Sequence, residues 1–105
     1  MSRSPPPDVA SVVLDGMRYE QVTNGLARGL DRLTGYLRAA DAATDAERWV
    51  VQVYDGGPTD PDLEADVQYL YFRSMTVERG RIVIENEAGA RFEVDPQTGA
   101  VTAMP

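Results

Sequence analysis

Cysteine, histidine and lysine are all missing from this sequence of 105 residues. Without cysteine there is no disulfide, no thiol nucleophile and no thiolate-bound metal. Without histidine, the usual zinc sites, serine–histidine catalysis and switching near neutral pH are excluded. Positive charge is scarce as well, with ten arginines against seventeen acids and a net charge of −7. Binding to phosphate backbones needs clustered cations, so nucleic acid is not an expected partner. No apolar run approaches the roughly 20 residues that cross a bilayer, and no signal peptide opens the chain. A membrane is therefore not an expected partner, and a cytoplasmic location is the expectation.

What is present suits one small domain. Apolar residues make up 43% of the chain, and a domain of this size hides roughly 60–70% of its unfolded surface. That is enough for stability without staples, and no cofactor is implied. That every cation is arginine is explained by genome composition, and no chemistry is drawn from it. Residues 1–8 carry Pro5-Pro6-Pro7 among small polar residues and read as a disordered lead-in. Residues 9–105 read as a single β domain.

Hairpin turns punctuate the chain. Asp15-Gly16 suits a two-residue type I′ turn, which sets Leu14 opposite Met17 and Val12 opposite Tyr19. A two-residue turn at Arg79-Gly80 pairs Glu78 with Arg81, Val77 with Ile82 and Met75 with Ile84, so that like meets like and charge meets countercharge. A two-residue loop at Ala88-Gly89 would mix the faces. The three-residue loop Glu87-Ala88-Gly89 instead pairs Ile84 with Phe92, Ile82 with Val94 and Glu85 with Arg91. A last loop over Pro96 to Gly99 pairs Asp95 with Ala100 and Val94 with Val101. Residues 67–103 thus read as a four-stranded antiparallel meander, with Val67 to Phe72 as a central or covered strand.

The middle of the chain carries two competing signals. Leu26, Leu30, Leu33 and Leu37 stand at helical spacing after a possible Asn24 cap. Gly25, Gly29 and Gly35 oppose a helix, at about 1 kcal/mol each. An internal echo also favours a hairpin, since Asp41-Ala-Ala-Thr44-Asp45 matches Asp95-Pro-Gln-Thr98-Gly99. The expectation is a hairpin of Gly35 to Ala40 with Glu47 to Tyr54, with Trp49, Val51 and Val53 pointing inward. The stretch Asp55 to Asp66 reads as a loop, with at most a short helical turn near 59–66. The fold class is all-β: about eight short, mainly antiparallel strands in an open sheet or a small barrel.

Gly35-Tyr36-Leu37, then Ala40-Asp41-Ala42-Ala43-Thr44, then Trp49 resembles the blade signature of pyrroloquinoline-quinone-type β-propellers. That signature runs from a glycine through an Asp-x-x-Thr-Gly turn to a tryptophan. The tracts Trp49 to Tyr54, Leu63 to Gln68 and Ile84 to Gly89 resemble a family of small uncharacterised bacterial proteins, over roughly Met17 to Val101. The resemblance implies hairpins in the middle and no known substrate. Position 45 departs from the signature, with Asp where the turn expects Gly, although Asp tolerates left-handed backbone. A propeller needs several blades and this chain has at most two, so quinone binding is not carried over.

Four constellations are candidates for chemistry. Asp60, Asp62, Glu64 and Asp66 crowd an acidic loop that offers oxygens to a divalent cation, but the helix–loop–helix calcium pattern fails there, and acids also suit a helix start. Glu85 and Glu87 share a strand face and Glu93 lies on the neighbouring strand, but Arg91 is placed to neutralise Glu85, so structural pairing is expected rather than acid–base work. Arg73 falls on the apolar face opposite Asn86, where a charge must be paired or must snorkel. It is an anion anchor or a structural ion pair, with Asp55 and Asp66 as partners to test. Trp49, Tyr54 and Tyr69 are aromatic candidates for an interface, because such side chains bury area and keep a polar handle. The expected function is a non-catalytic protein-interaction module, its partner another protein or a second copy. The alternative is a small-ligand or cation binder built on the acidic loop and Arg73.

Overall fold

A computed structural model describes residues 9–32, 34–54 and 70–104. The described residues form eight strands: β1 (Val12–Leu14), β2 (Met17–Val22), β3 (Tyr36–Asp41), β4 (Glu47–Gln52), β5 (Phe72–Glu78), β6 (Arg81–Asn86), β7 (Arg91–Val94) and β8 (Val101–Met104). They make two four-stranded antiparallel sheets, ordered β1-β2-β3-β4 and β5-β6-β7-β8. Each sheet is a meander in which every strand pairs with its neighbour in sequence. The two sheets share one core, which joins Tyr19, Leu37, Ala39 and Val53 to Phe72, Met75, Ile82, Ile84 and Val94. The all-β, mainly antiparallel class holds: the strands form two packed open sheets, and among the described residues no closed barrel forms.

The hairpin registers follow the side-chain sorting. Val12 pairs with Tyr19 and Leu14 with Met17. Glu78 pairs with Arg81, Val77 with Ile82 and Met75 with Ile84. Ile84 pairs with Phe92, Ile82 with Val94 and Glu85 with Arg91, and Val94 pairs with Val101. Asp15 (φ 53°) and Arg79 (φ 54°) both take left-handed backbone, as the first position of a type I′ turn requires.

The helical leucine spacing is overridden. Among the described residues between β2 and β3 the one helical element is a 3-10 turn over Leu26–Arg28, and Leu37 is fully buried within β3. The N-cap of that turn is Gly25, and Asn24, one residue before it, accepts the Ala27 N–H through Oδ1 at 3.1 Å. Gly25 is needed there for space rather than for left-handed backbone, with φ at −66°. A Cβ on it would run into the Arg32 carbonyl oxygen and stand 2.9 Å from the Tyr36 ring. Tyr36 in turn accepts the Arg32 N–H through its hydroxyl at 3.2 Å. Gly25→Ala is expected to cost about 1–3 kcal/mol by overpacking, seen as a lower urea midpoint. Leu26→Ala next door removes a side chain that is already 48% exposed and is expected to leave the midpoint nearly unchanged.

The echo in sequence is an echo in structure. Asp41 Oδ1 accepts the N–H groups of Ala43 (2.9 Å) and Thr44 (3.0 Å), and Asp95 Oδ1 accepts those of Gln97 (2.8 Å) and Thr98 (3.4 Å). Thr44 Oγ1 takes the Ala46 N–H at 3.3 Å, and Thr98 Oγ1 the Ala100 N–H at 3.2 Å. The left-handed position holds Asp45 (φ 63°) in one turn and Gly99 (φ 80°) in the other. Asp45 has a reason to be there: its carboxylate pairs with Arg18 and, at 3.1 Å, with Arg38. Glycine would relax the backbone and lose both ion pairs.

The expected strand from Val67 is only partly testable, since residues 67–69 lie outside the described part. Regular pairing begins at Phe72, and β5 is an edge strand of its sheet rather than a central one. The lead-in over 1–8 and the helical turn near 59–66 also lie outside the described residues. Among those that are described, no helix is long and apolar enough to cross a membrane.

Candidate functional site

Both sheets send their first and third turns to the same end of the molecule. There they border a cleft of about 850 Å³. The first half contributes the β1–β2 turn, with Asp15, Gly16 and Met17, together with Asp41, Arg48 and Trp49. The second half contributes Gly80 and Arg81 from the β5–β6 turn, and Asp95, Pro96 and Gln97 from the β7–β8 turn.

Trp49 comes to the cleft from β4, half-buried. Its ring centroid is 5.9 Å from that of Tyr19, and it lies over Gly99, where an added Cβ would approach it to 3.4 Å. Tyr19 ties the halves together, donating its hydroxyl to the Pro96 carbonyl at 2.7 Å. Burial first, and then the charges of Asp15 and Asp95, raise the Tyr19 phenol above its ordinary range. It therefore stays protonated at neutral pH and keeps donating.

Two carboxylates of the cleft, Asp41 and Asp95, are held ionised. Asp41 is pulled below its usual range by the backbone N–H groups of Thr44 and Ala43, and to a lesser degree by the charge of Arg48. Asp95 is lowered by the Gln97 and Thr98 N–H groups and by Arg81, whose guanidinium stands 3.2 Å away.

Arg48 owes its place to a bulge. Ala39 pairs with Trp49 while Ala40 pairs with Glu47, so Arg48 is the extra residue in the ladder. Bulges of this kind re-aim a side chain. This one lets Glu47 face outward to Arg38 while Trp49 faces inward, and it brings Arg48 to the cleft. Among the described residues Arg48 makes no ion pair, unlike Arg18, Arg28, Arg38, Arg73, Arg81 and Arg91.

The outer face of the first sheet has a different character. Arg38 donates to Glu20 (2.6 Å), Glu47 (2.9 Å) and Asp45 (3.1 Å), and Arg28 also pairs with Glu47. A second hollow of about 390 Å³ lies beside this network, whose charges are spent on one another. Forked, many-donor pairing is something lysine cannot supply, so arginine has a structural use here that composition alone concealed.

Of the described residues singled out from sequence, Trp49 alone lies at the cleft. Tyr54 is a core residue, stacked on Phe92 at 5.3 Å and donating its hydroxyl to the Leu70 carbonyl at 2.6 Å. Burial pushes its phenol far up. Arg73 is not on the apolar face. The register slips between Phe72 and Ser74, and this bulge turns Phe72 into the core and Arg73 outward. Arg73 pairs with Glu85 at 2.7 Å and donates to the Glu87 carbonyl at 2.8 Å, so the structural ion pair forms, with Glu85 as the acid.

Asn86 does not join Arg73 in a ligand site. It is buried, and its Oδ1 accepts the N–H groups of Ala88 (3.0 Å) and Ala90 (3.1 Å), bracing the β6–β7 loop. Tyr69, Asp60, Asp62, Glu64 and Asp66 lie outside the described residues. Among the described residues no three metal-ligating side chains are grouped to hold an ion. No family model, curated protein or solved structure matches the chain.

Proposed function

We propose that this chain is a non-catalytic binding domain and that its contact surface is the cleft where the four turns meet. The observation that carries this reading is Arg48, brought by a bulge to the cleft that Trp49 lines and making no ion pair among the described residues. Tryptophan and arginine are the side chains that most often dominate binding energy. A cleft of this volume lies within the roughly 300–1,000 Å³ of pockets that take compact ligands. Asp41 and Asp95 are held ionised by backbone N–H groups, which suits fixed recognition. A general base working near neutrality needs a carboxylate pushed up instead.

Capture from a cell lysate tests the reading. Whatever the tagged chain retains, protein or small molecule, is expected to fall at least tenfold with Arg48→Ala and to persist with Arg73→Gln. Equal retention by all three proteins would remove the cleft from consideration.

A further inference from the structure

The chemistry of the same cleft narrows the class of ligand, an inference that rests on the cleft being the binding surface. Its polar groups divide into engaged and free. Arg81 and Asp95 are paired with each other, and Asp41 spends its Oδ1 on the turn that it caps. Left without a hydrogen-bond partner among the described residues are the Arg48 guanidinium, the Asp15 carboxylate and the Gln97 side-chain amide. These offer donors and acceptors in one place, beside the apolar surfaces of Trp49 and Pro96.

Charge excludes the simpler ligands. A phosphate or other compact anion would meet Arg48 but would also face Asp15, Asp41 and Asp95, two of them held firmly ionised. A compact cation would meet those acids with Arg48 and Arg81 beside it. A neutral molecule that both donates and accepts, and that has an apolar face for an indole, conflicts with none of these groups. Hydroxyl groups satisfy free carboxylates, amides and guanidiniums together, and a ring of C–H bonds lies flat on an aromatic face. We infer that the cleft binds a neutral saccharide, with Trp49 as its platform and with Arg48, Asp15 and Gln97 reading its hydroxyls.

Trp49 is the only tryptophan in the chain, so its fluorescence reports on the cleft directly. The full-length protein would be titrated with D-glucose, D-galactose, D-mannose, L-fucose and N-acetyl-D-glucosamine, and would be screened on an array of neutral glycans. Inorganic phosphate and arginine methyl ester would serve as anionic and cationic probes.

The expected result is a saturable emission change with at least one neutral saccharide. Its affinity should fall tenfold or more in Arg48→Gln and should be unchanged in Arg73→Gln, with circular dichroism verifying that both variants fold. Saturation by phosphate or by the cationic ester alone would overturn the inference, as would silence across every neutral glycan. If the glycans are silent while a captured protein still depends on Arg48, the ligand class fails and the cleft stands. If capture is also indifferent to Arg48, both fail.

Discussion

Replacing Phe72 by alanine is expected to destabilise the domain by about 3–5 kcal/mol, a large share of the roughly 5–15 kcal/mol that holds a domain folded. Phe72 is fully buried. Its ring lies 6.0 Å from that of Tyr54, and its backbone N–H is taken at 2.7 Å by Gln21 Oε1 from the opposite sheet. Truncation would open a cavity where the two layers meet, at an edge strand with few neighbours to collapse into it. Urea unfolding read by tryptophan emission measures the loss. Arg73→Gln, one residue along, removes a half-exposed ion pair and is expected to cost less than about 1 kcal/mol. The contrast is diagnostic of the bulge, because regular alternation would put Arg73 on the face of Met75 and turn Phe72 away. Equal effects at the two positions would mean that the bulge is not present in solution.

The second large effect is electrostatic. Asp45 is held below its usual range by Arg38 and then by Arg18, and Glu47 by Arg28 and Arg38. A carboxyl whose folded pKa is depressed contributes stability that is fully present above its unfolded value, near 4. That contribution is lost as pH falls through the lower folded value. Unfolding free energy is therefore expected to be level from neutrality down to about pH 5 and to drop below about pH 4. Asp41 and Asp95 add to the same slope through their turn N–H groups.

Arg38→Met removes the centre of the network. At neutral pH it should cost about 1–2 kcal/mol, the low end for charge-assisted hydrogen bonds because the partner carboxylates sit partly in water. In acid the two proteins should converge, since protonated carboxyls have no use for the guanidinium. Parallel pH curves would assign the loss to packing instead.

Much of this architecture was legible because hairpins obey local rules. Asp15-Gly16 and Arg79-Gly80 announce their turn type, and once a turn is placed the sorting of faces fixes the pairing. The repeated Asp-x-x-Thr tract decides the middle of the chain against the leucine spacing, and of the described leucines in that series only Leu37 lies in a strand. The bulges at Arg48 and Arg73 were not legible. One extra residue in a ladder depends on what each face must meet across the core, and that is a tertiary fact. For the same reason alternation alone places Arg73 and Asn86 together on the apolar face, and nothing in the local sequence distinguishes Arg48. Asp41 and Asp95 were visible as turn formers, but their meeting at one cleft follows from how the sheets pack.

Every strand pairing described lies within one half of the chain: β1 to β4 among themselves, and β5 to β8 likewise. The core, by contrast, draws on both halves, as do the Tyr19 and Gln21 latches. During synthesis, then, the leading half can complete its backbone ladder at once, but it must hold an uncovered apolar face until the trailing half emerges. Local hydrogen bonding and hydrophobic closure are separated in time, and the interval between them is when the nascent chain is most open to misassociation.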